Sequence, residues 1–410
     1  MILSKRLCLP LAAALLAAAC TTPQAVRPGV PAPLPGTESP TPLYPPGGEA
    51  LPPVVPAAPP AAAPTVPPRR VMPYTSEREG RALLARVMPS GIADRRGWME
   101  DIVDVFTGLK LPYSPENFCA AIAVIEQESS WQADPTVPGL PKIVWGKIAE
   151  KAEHYRLPMA AVRVALMKPS PTGESYTARI DRLRTEKEMN ALYEDMAAEA
   201  GRIGLPAGKN PIRTGGPMQV SIEFAEAHAR AWPYPFNKRG SWRDEVFTRR
   251  GGLYFGIANL LHYPAPYKEM RYRFADFNAG RYASRNAAFQ AAVARLSGRE
   301  LELDGDLLNY RDGVPSGGST YRALGLLSRR TGLSDDAVLR DLKLEKSAAF
   351  GQSELYRRVF ALADAAAGRA LPREAMPQID LKSPKITRKL TTEWFANRVD
   401  GRYQRCLARQ

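Results

Sequence analysis

Apolar side chains recur at three-and-four spacing through most of the chain beyond about residue 73, the repeat of helices with one buried face. The spacing predicts helices over Ser76–Met88, Trp98–Leu109, Lys142–Met167, Tyr176–Gly201, Ser221–Trp232, Val246–His262 and Asn286–Leu296. Further helical stretches run from Thr320 to Gly368 and from Thr387 to Arg398. Breaks fall at Pro89–Gly91, Asp134–Pro135, Pro138–Pro141 and around Pro169–Gly173, where proline and glycine end a helix. No alternating strand pattern persists, so the fold class is mainly α.

The stretch Ser114–Trp131, SPENFCAAIAVIEQESSW, is the organising element. Ser114 suits an N-cap and Pro115 the first helical position. Phe118, Ala121, Ile122 and Ile125 form an apolar stripe that leads to Glu128, while Glu126 falls on the side expected to meet water. A carboxyl at the end of such a stripe loses solvation. Its pKa rises, and it holds a proton near neutrality as a general acid must. A plain boundary residue, where the helix surfaces, is the competing reading.

The start of the chain reads differently. Lys5 and Arg6 precede an apolar run, Leu7–Ala19, too short to span a bilayer and ending directly before Cys20. LLAAAC resembles the lipobox of bacterial lipoproteins. That resemblance implies a signal peptide over residues 1–19 and lipidation of Cys20; Thr21 after it implies the outer membrane, facing the periplasm. Residues 20–72 form a linker in which 17 of the 50 residues from Thr21 to Arg70 are proline. Such a composition favours extended polyproline conformations over a packed core and reaches at most about 150 Å.

The chain has 56 Lys and Arg against 42 Asp and Glu, a net charge of +14. That surplus favours a polyanionic partner, and export excludes nucleic acid in favour of anionic lipid or wall polymer. Three dispersed histidines give no metal-ligand spacing, and no cofactor is expected. Cys119 and Cys406 remain after processing; an oxidising compartment can bridge such a pair, and two buried thiols is the alternative.

Three fragments carry a further resemblance. Glu128–Ser129–Ser130–Trp131, Gly216–Pro217–Met218–Gln219–Val220 and Phe277–Asn278–Ala279–Gly280 are similar, in order, to motifs of the soluble lytic transglycosylase and goose-type lysozyme superfamily. The resemblance covers about Ser114–Leu296. It implies a lysozyme-like helical domain over residues 73–298, with a helical insertion at about 142–205 and a helical extension over 299–410. It further implies cleavage of peptidoglycan glycan strands between MurNAc and GlcNAc by Glu128 alone, leaving 1,6-anhydro ends. Ser129, Met218, Gln219, Phe277, Asn278 and Gly280 would line the substrate cleft. Phe277 stands where the superfamily has tyrosine, and Pro217 where it has leucine. Those departures leave room for a peptidoglycan-binding lipoprotein without catalysis.

Overall fold

The computed structural model describes residues 76–202, 204, 210–311, 314–381 and 390–410. The signal peptide, Cys20 and the linker expected over residues 20–72 lie outside the described residues. The described residues gather into one compact unit. Among the described residues helices dominate, and the strands form three short antiparallel pairs. Strands of two to four residues are too short to display a period-two pattern, so none is legible from the residues alone.

In chain order come α1 (Glu77–Val87), α2 (Arg95–Gly108) and α3 (Pro115–Glu128), followed by α4 (Leu140–His154), α5 (Met159–Leu166), α6 (Tyr176–Asp181) and α7 (Glu186–Arg202). The hairpin β1 (Thr214–Gly215) and β2 (Val220–Ser221) leads into α8 (Ile222–Ala231), α9 (Trp242–Val246), α10 (Arg249–Leu261), α11 (Met270–Ala279) and α12 (Ala283–Ser297). Then follow β3 (Asn309–Arg311), β4 (Val314–Gly317), α13 (Ser319–Gly325), α14 (Ser328–Thr331), α15 (Asp335–Leu342) and α16 (Glu354–Ala367). The pair β5 (Asp380–Leu381) and β6 (Leu390–Thr391) precedes the last helix, α17 (Thr392–Leu407).

Several long periodic stretches are divided. Lys142–Met167 is two helices, because the peptide before Pro158 resists the helical region and Arg156 turns left-handed at φ 55°. Tyr176–Gly201 breaks before Glu186. Val246–His262 breaks at Phe247 and Thr248, where Thr248 caps α10 by accepting from Gly251 N–H. Hydrophobic spacing survives each break, so periodicity alone reads through it.

Two hydrophobic cores fill the unit. The larger spans α1 to α11 and includes Phe395, Val399, Tyr403 and Cys406 of α17. The smaller gathers Phe289 and Val293 of α12 with Leu307, Leu342, Phe350, Val359 and Phe360. The C-terminal region is therefore of two kinds: residues up to Ala375 close the second core, and α17 returns to the first. Buried polar groups of α12 tie it to the loops around the second core. Arg285 donates to Ser347 O at 2.8 Å and Glu345 O at 2.6 Å, and Asn286 donates to Gly305 O at 3.0 Å.

The central helix is α10, whose residues from Gly251 to Ala258 are all buried. It packs against α2, α3, β2, α8, α9 and α11. Among the described residues no helix is long and apolar enough to cross a membrane.

Candidate functional site

Ser114 caps α3 by accepting from Asn117 N–H at 3.2 Å, with Pro115 in the first turn. Every residue from Phe118 to Ile125 is fully buried. This corrects the single apolar stripe read from the sequence. The face assigned to solvent is covered by α17, and Glu126 lies 4.0 Å from Arg402 rather than in open water.

The helix ends on Glu128, and the chain turns sharply away. Ser130 and Trp131 both take left-handed backbone conformations, φ 49° and 66°. Neither residue favours that region, and each such residue costs about 1–3 kcal/mol unless its surroundings impose it. Here Trp131 stacks edge-on against Trp98 at 5.3 Å, and the Arg249 guanidinium lies 5.4 Å from the Trp98 ring. Ser129 is 4% exposed, and its hydroxyl donates to Ile125 O at 2.9 Å. It closes the helix, so the substrate contact expected of Ser129 is corrected to a capping role.

Glu128 itself is half-buried. No hydrogen bond from another described residue holds its carboxyl. Desolvation, then the Glu186 carboxylate, push its pKa up to about 8, against a smaller opposing pull from Arg402. At neutral pH Glu128 is a protonated acid.

Glu186, on the inserted segment, is the residue that sequence reasoning missed. It is 5% exposed and opens α7. Thr185 bridges to Thr136 just beyond Glu128, and Val137 N–H donates to Arg184 O at 2.7 Å, which fixes the start of α7 beside the turn that follows Glu128. Thr185 and Glu188 form a reciprocal cap at 3.2 and 3.1 Å. In sequence Glu186 therefore looks like an ordinary first-turn acid. Arg402 was equally hidden. The Cys119–Cys406 disulfide, with Cα atoms 5.4 Å apart, holds the helix that carries it against α3.

The second motif forms the β1–β2 turn. Gln219 is left-handed at φ 49°, and its side chain donates to Gly216 O at 3.2 Å. Met218 is fully buried. It sits where Gly256 of α10 has no side chain: a Cβ there would meet Met218 Cβ at 2.5 Å and Sδ at 2.6 Å. The ligand contact expected of Met218 is thus corrected to core packing that pins the turn on α10.

The third motif ends α11. Asp276, 1% exposed, accepts from Tyr263 and Tyr267 hydroxyls at 3.0 and 2.7 Å and from Tyr282 and Ser284 N–H at 2.8 and 2.7 Å. It organises the turn. Phe277 and Asn278 are half-buried, Gly280 is exposed at φ 110°, and Asn278 Oδ1 accepts from Thr392 Oγ1 at 2.9 Å. Arg281 donates to Asn259 O at 3.1 Å and lies 4.6 Å from the Phe224 ring, tying the turn to α10 and α8.

All three motifs thus border α10 or the elements packed on it, but no hydrogen bond joins Glu128, Gln219 and Asn278 to one another. Cavities of about 460 and 410 Å³ lie elsewhere, at Arg299–Leu326 and Thr172–Ala191. Among the described residues no group of three or more His, Cys, Asp or Glu gathers as a metal site.

A family model described as "Protein of unknown function (DUF1615)" matches residues 91–409. The "Uncharacterized protein YaiW" of Escherichia coli (strain K12) is 48% identical over 328 residues, spanning 80% of this chain and 89% of that protein. No solved structure matches.

Proposed function

The chain belongs to the DUF1615 family, and on its desolvated Glu128 we propose that it is a peptidoglycan lytic transglycosylase with a lysozyme-like fold. In this reading Cys20 is lipidated and the enzyme faces the periplasm from the outer membrane. Its partners are that membrane and the glycan strands.

One observation carries the reading: a carboxyl that ends a buried helix, stays protonated at neutral pH and has no hydrogen-bond donor among the described residues. A supporting one is backbone strain. Of the seven non-glycine residues at positive φ among the described residues, Ser130 and Trp131 lie in the first motif, Gln219 lies in the second and Tyr282 follows the third.

Glu128 gives its proton to the glycosidic oxygen as the bond to C1 of MurNAc breaks. Its carboxylate then takes the proton of the C6 hydroxyl while O6 bonds to C1. The ring closes as a 1,6-anhydro sugar, GlcNAc leaves with its hydroxyl restored, and no water is consumed. Gln219, Phe277, Asn278 and Gly280 border the substrate, while Ser129 and Met218 hold the frame. Digestion of purified sacculi, with Glu128→Gln as the control, tests the reading.

A second reading has its own observation. Asn278 of the third motif already accepts a hydrogen bond from Thr392, which suits a wall-binding lipoprotein without catalysis. Sacculus binding without release of fragments distinguishes it.

A further inference from the structure

Six large hydrophobic side chains stand half or more exposed among the described residues, and three of them fall between Tyr155 and Met167. Tyr155 is 50% exposed, Val164 69% and Met167 65%. The helix α5 explains the arrangement. Val162 and Leu166 point into the larger core, while Ala160, Val164 and Met167 recur at positions i, i+4 and i+7 and share the outward stripe.

Each exposed apolar residue adjoins a basic one: Arg156 follows Tyr155, Arg163 precedes Val164, and Lys168 follows Met167. Arg163 is held in place 4.1 Å over the Trp145 ring, whose Nε1 donates to Asp181 at 2.7 Å. Lys168 pairs with Glu199 at 2.8 Å and keeps half its side chain exposed. Residues 142–168 carry six Lys and Arg against Glu150 and Glu153, a net charge of +4, and Lys147 pairs with Glu150 at 2.6 Å.

We infer that the outward face of α5, with Tyr155 at its edge, is a docking surface for an anionic phospholipid bilayer. Val164 and Met167 enter the acyl boundary, the Tyr155 ring lies at headgroup level, and Arg156, Arg163 and Lys168 meet lipid phosphates. Apolar side chains interleaved with basic ones are what an anionic interface selects. A protein–protein interface shares the Tyr, Met and Arg of this patch but is depleted of lysine, so Lys168 and the net charge of +4 over residues 142–168 favour the anionic bilayer. The inference stands independently of the chemistry at Glu128. It adds a contact by which the folded body, as well as any N-terminal anchor, meets the membrane.

The test uses the chain from Thr21 onward, which keeps every residue of both cores and has no acylated cysteine. It is floated with vesicles of equal parts phosphatidylglycerol and phosphatidylcholine, and with vesicles of phosphatidylcholine alone. The protein floats with the mixed vesicles and stays behind with the neutral ones. Val164→Asp with Met167→Asp cuts the bound fraction about tenfold or more, as loss of two buried apolar anchors requires. Val314→Asp, at an exposed site outside the patch, leaves flotation unchanged, and circular dichroism checks that all variants keep their helix content. No flotation with anionic vesicles overturns the inference, as does equal flotation of the double variant. Binding to sacculi in place of vesicles overturns it too, and assigns the patch to wall polymer.

Discussion

Cys119 and Cys406 are joined by a disulfide across 287 residues of chain, and the bridge lays the last helix along the one that ends in Glu128. Through it Arg402 comes to face Glu126 and Glu128. Losing the bridge frees a long loop in the unfolded state and loosens the wall of the site. Cys119→Ser with Cys406→Ser is expected to cost about 2–5 kcal/mol of stability. Urea denaturation checks this, and a transition midpoint equal to that of the parent would contradict it.

Met218 and Gly256 form a matched pair. Gly256→Ala places a methyl group against Met218 Cβ and Sδ and is expected to destabilise by about 1–3 kcal/mol. Met218→Ala alone opens a cavity and costs about 2–5 kcal/mol. Combined, the two should cost clearly less than their sum, since each relieves the other. Strict additivity in thermal melts would show that the two residues do not touch.

Glu128 links stability to pH. Its folded pKa, about 8, stands above the ordinary 4.5, so between those values the folded state keeps a proton that the unfolded state releases. Stability therefore falls as pH rises from about 4.5 to about 8. Glu128→Gln removes that part of the slope. Melting temperatures should show the variant gaining on the parent between pH 5 and pH 9, and parallel curves would count against a buried acid.

The neighbours of Glu128 shift its titration in opposite directions. Glu186→Gln removes a like charge and should move the alkaline limb of activity to lower pH. Arg402→Met removes a favourable charge and should move it higher, with Glu126 the other carboxylate facing that arginine. A merely structural role for either residue would change the rate without moving the limb, so a pH–rate profile decides.

Much of the fold was legible from local signals. Ser114 and Pro115 marked the start of α3. Glu128 was legible because an apolar run ended on an acid. What surrounds it was not, because Glu186 and Arg402 come from elements 58 and 274 residues further on (186 − 128 and 402 − 128). Glu186 reads locally as a helix-cap acid, and Arg402 lies beyond the Thr387–Arg398 stretch that the spacing predicts as helix. Ser129 and Met218 were misassigned for a related reason. A motif names which residues meet but not which of their atoms are already spent on the frame.

We propose that Glu128 breaks glycosidic bonds by internal capture. Mass spectrometry of soluble products from purified sacculi measures that most directly. The parent protein is expected to release muropeptides with 1,6-anhydro-MurNAc ends, and Glu128→Gln to release none while still sedimenting with the sacculi. Absence of fragments from the parent, or equal release by the variant, would rule out catalysis by Glu128.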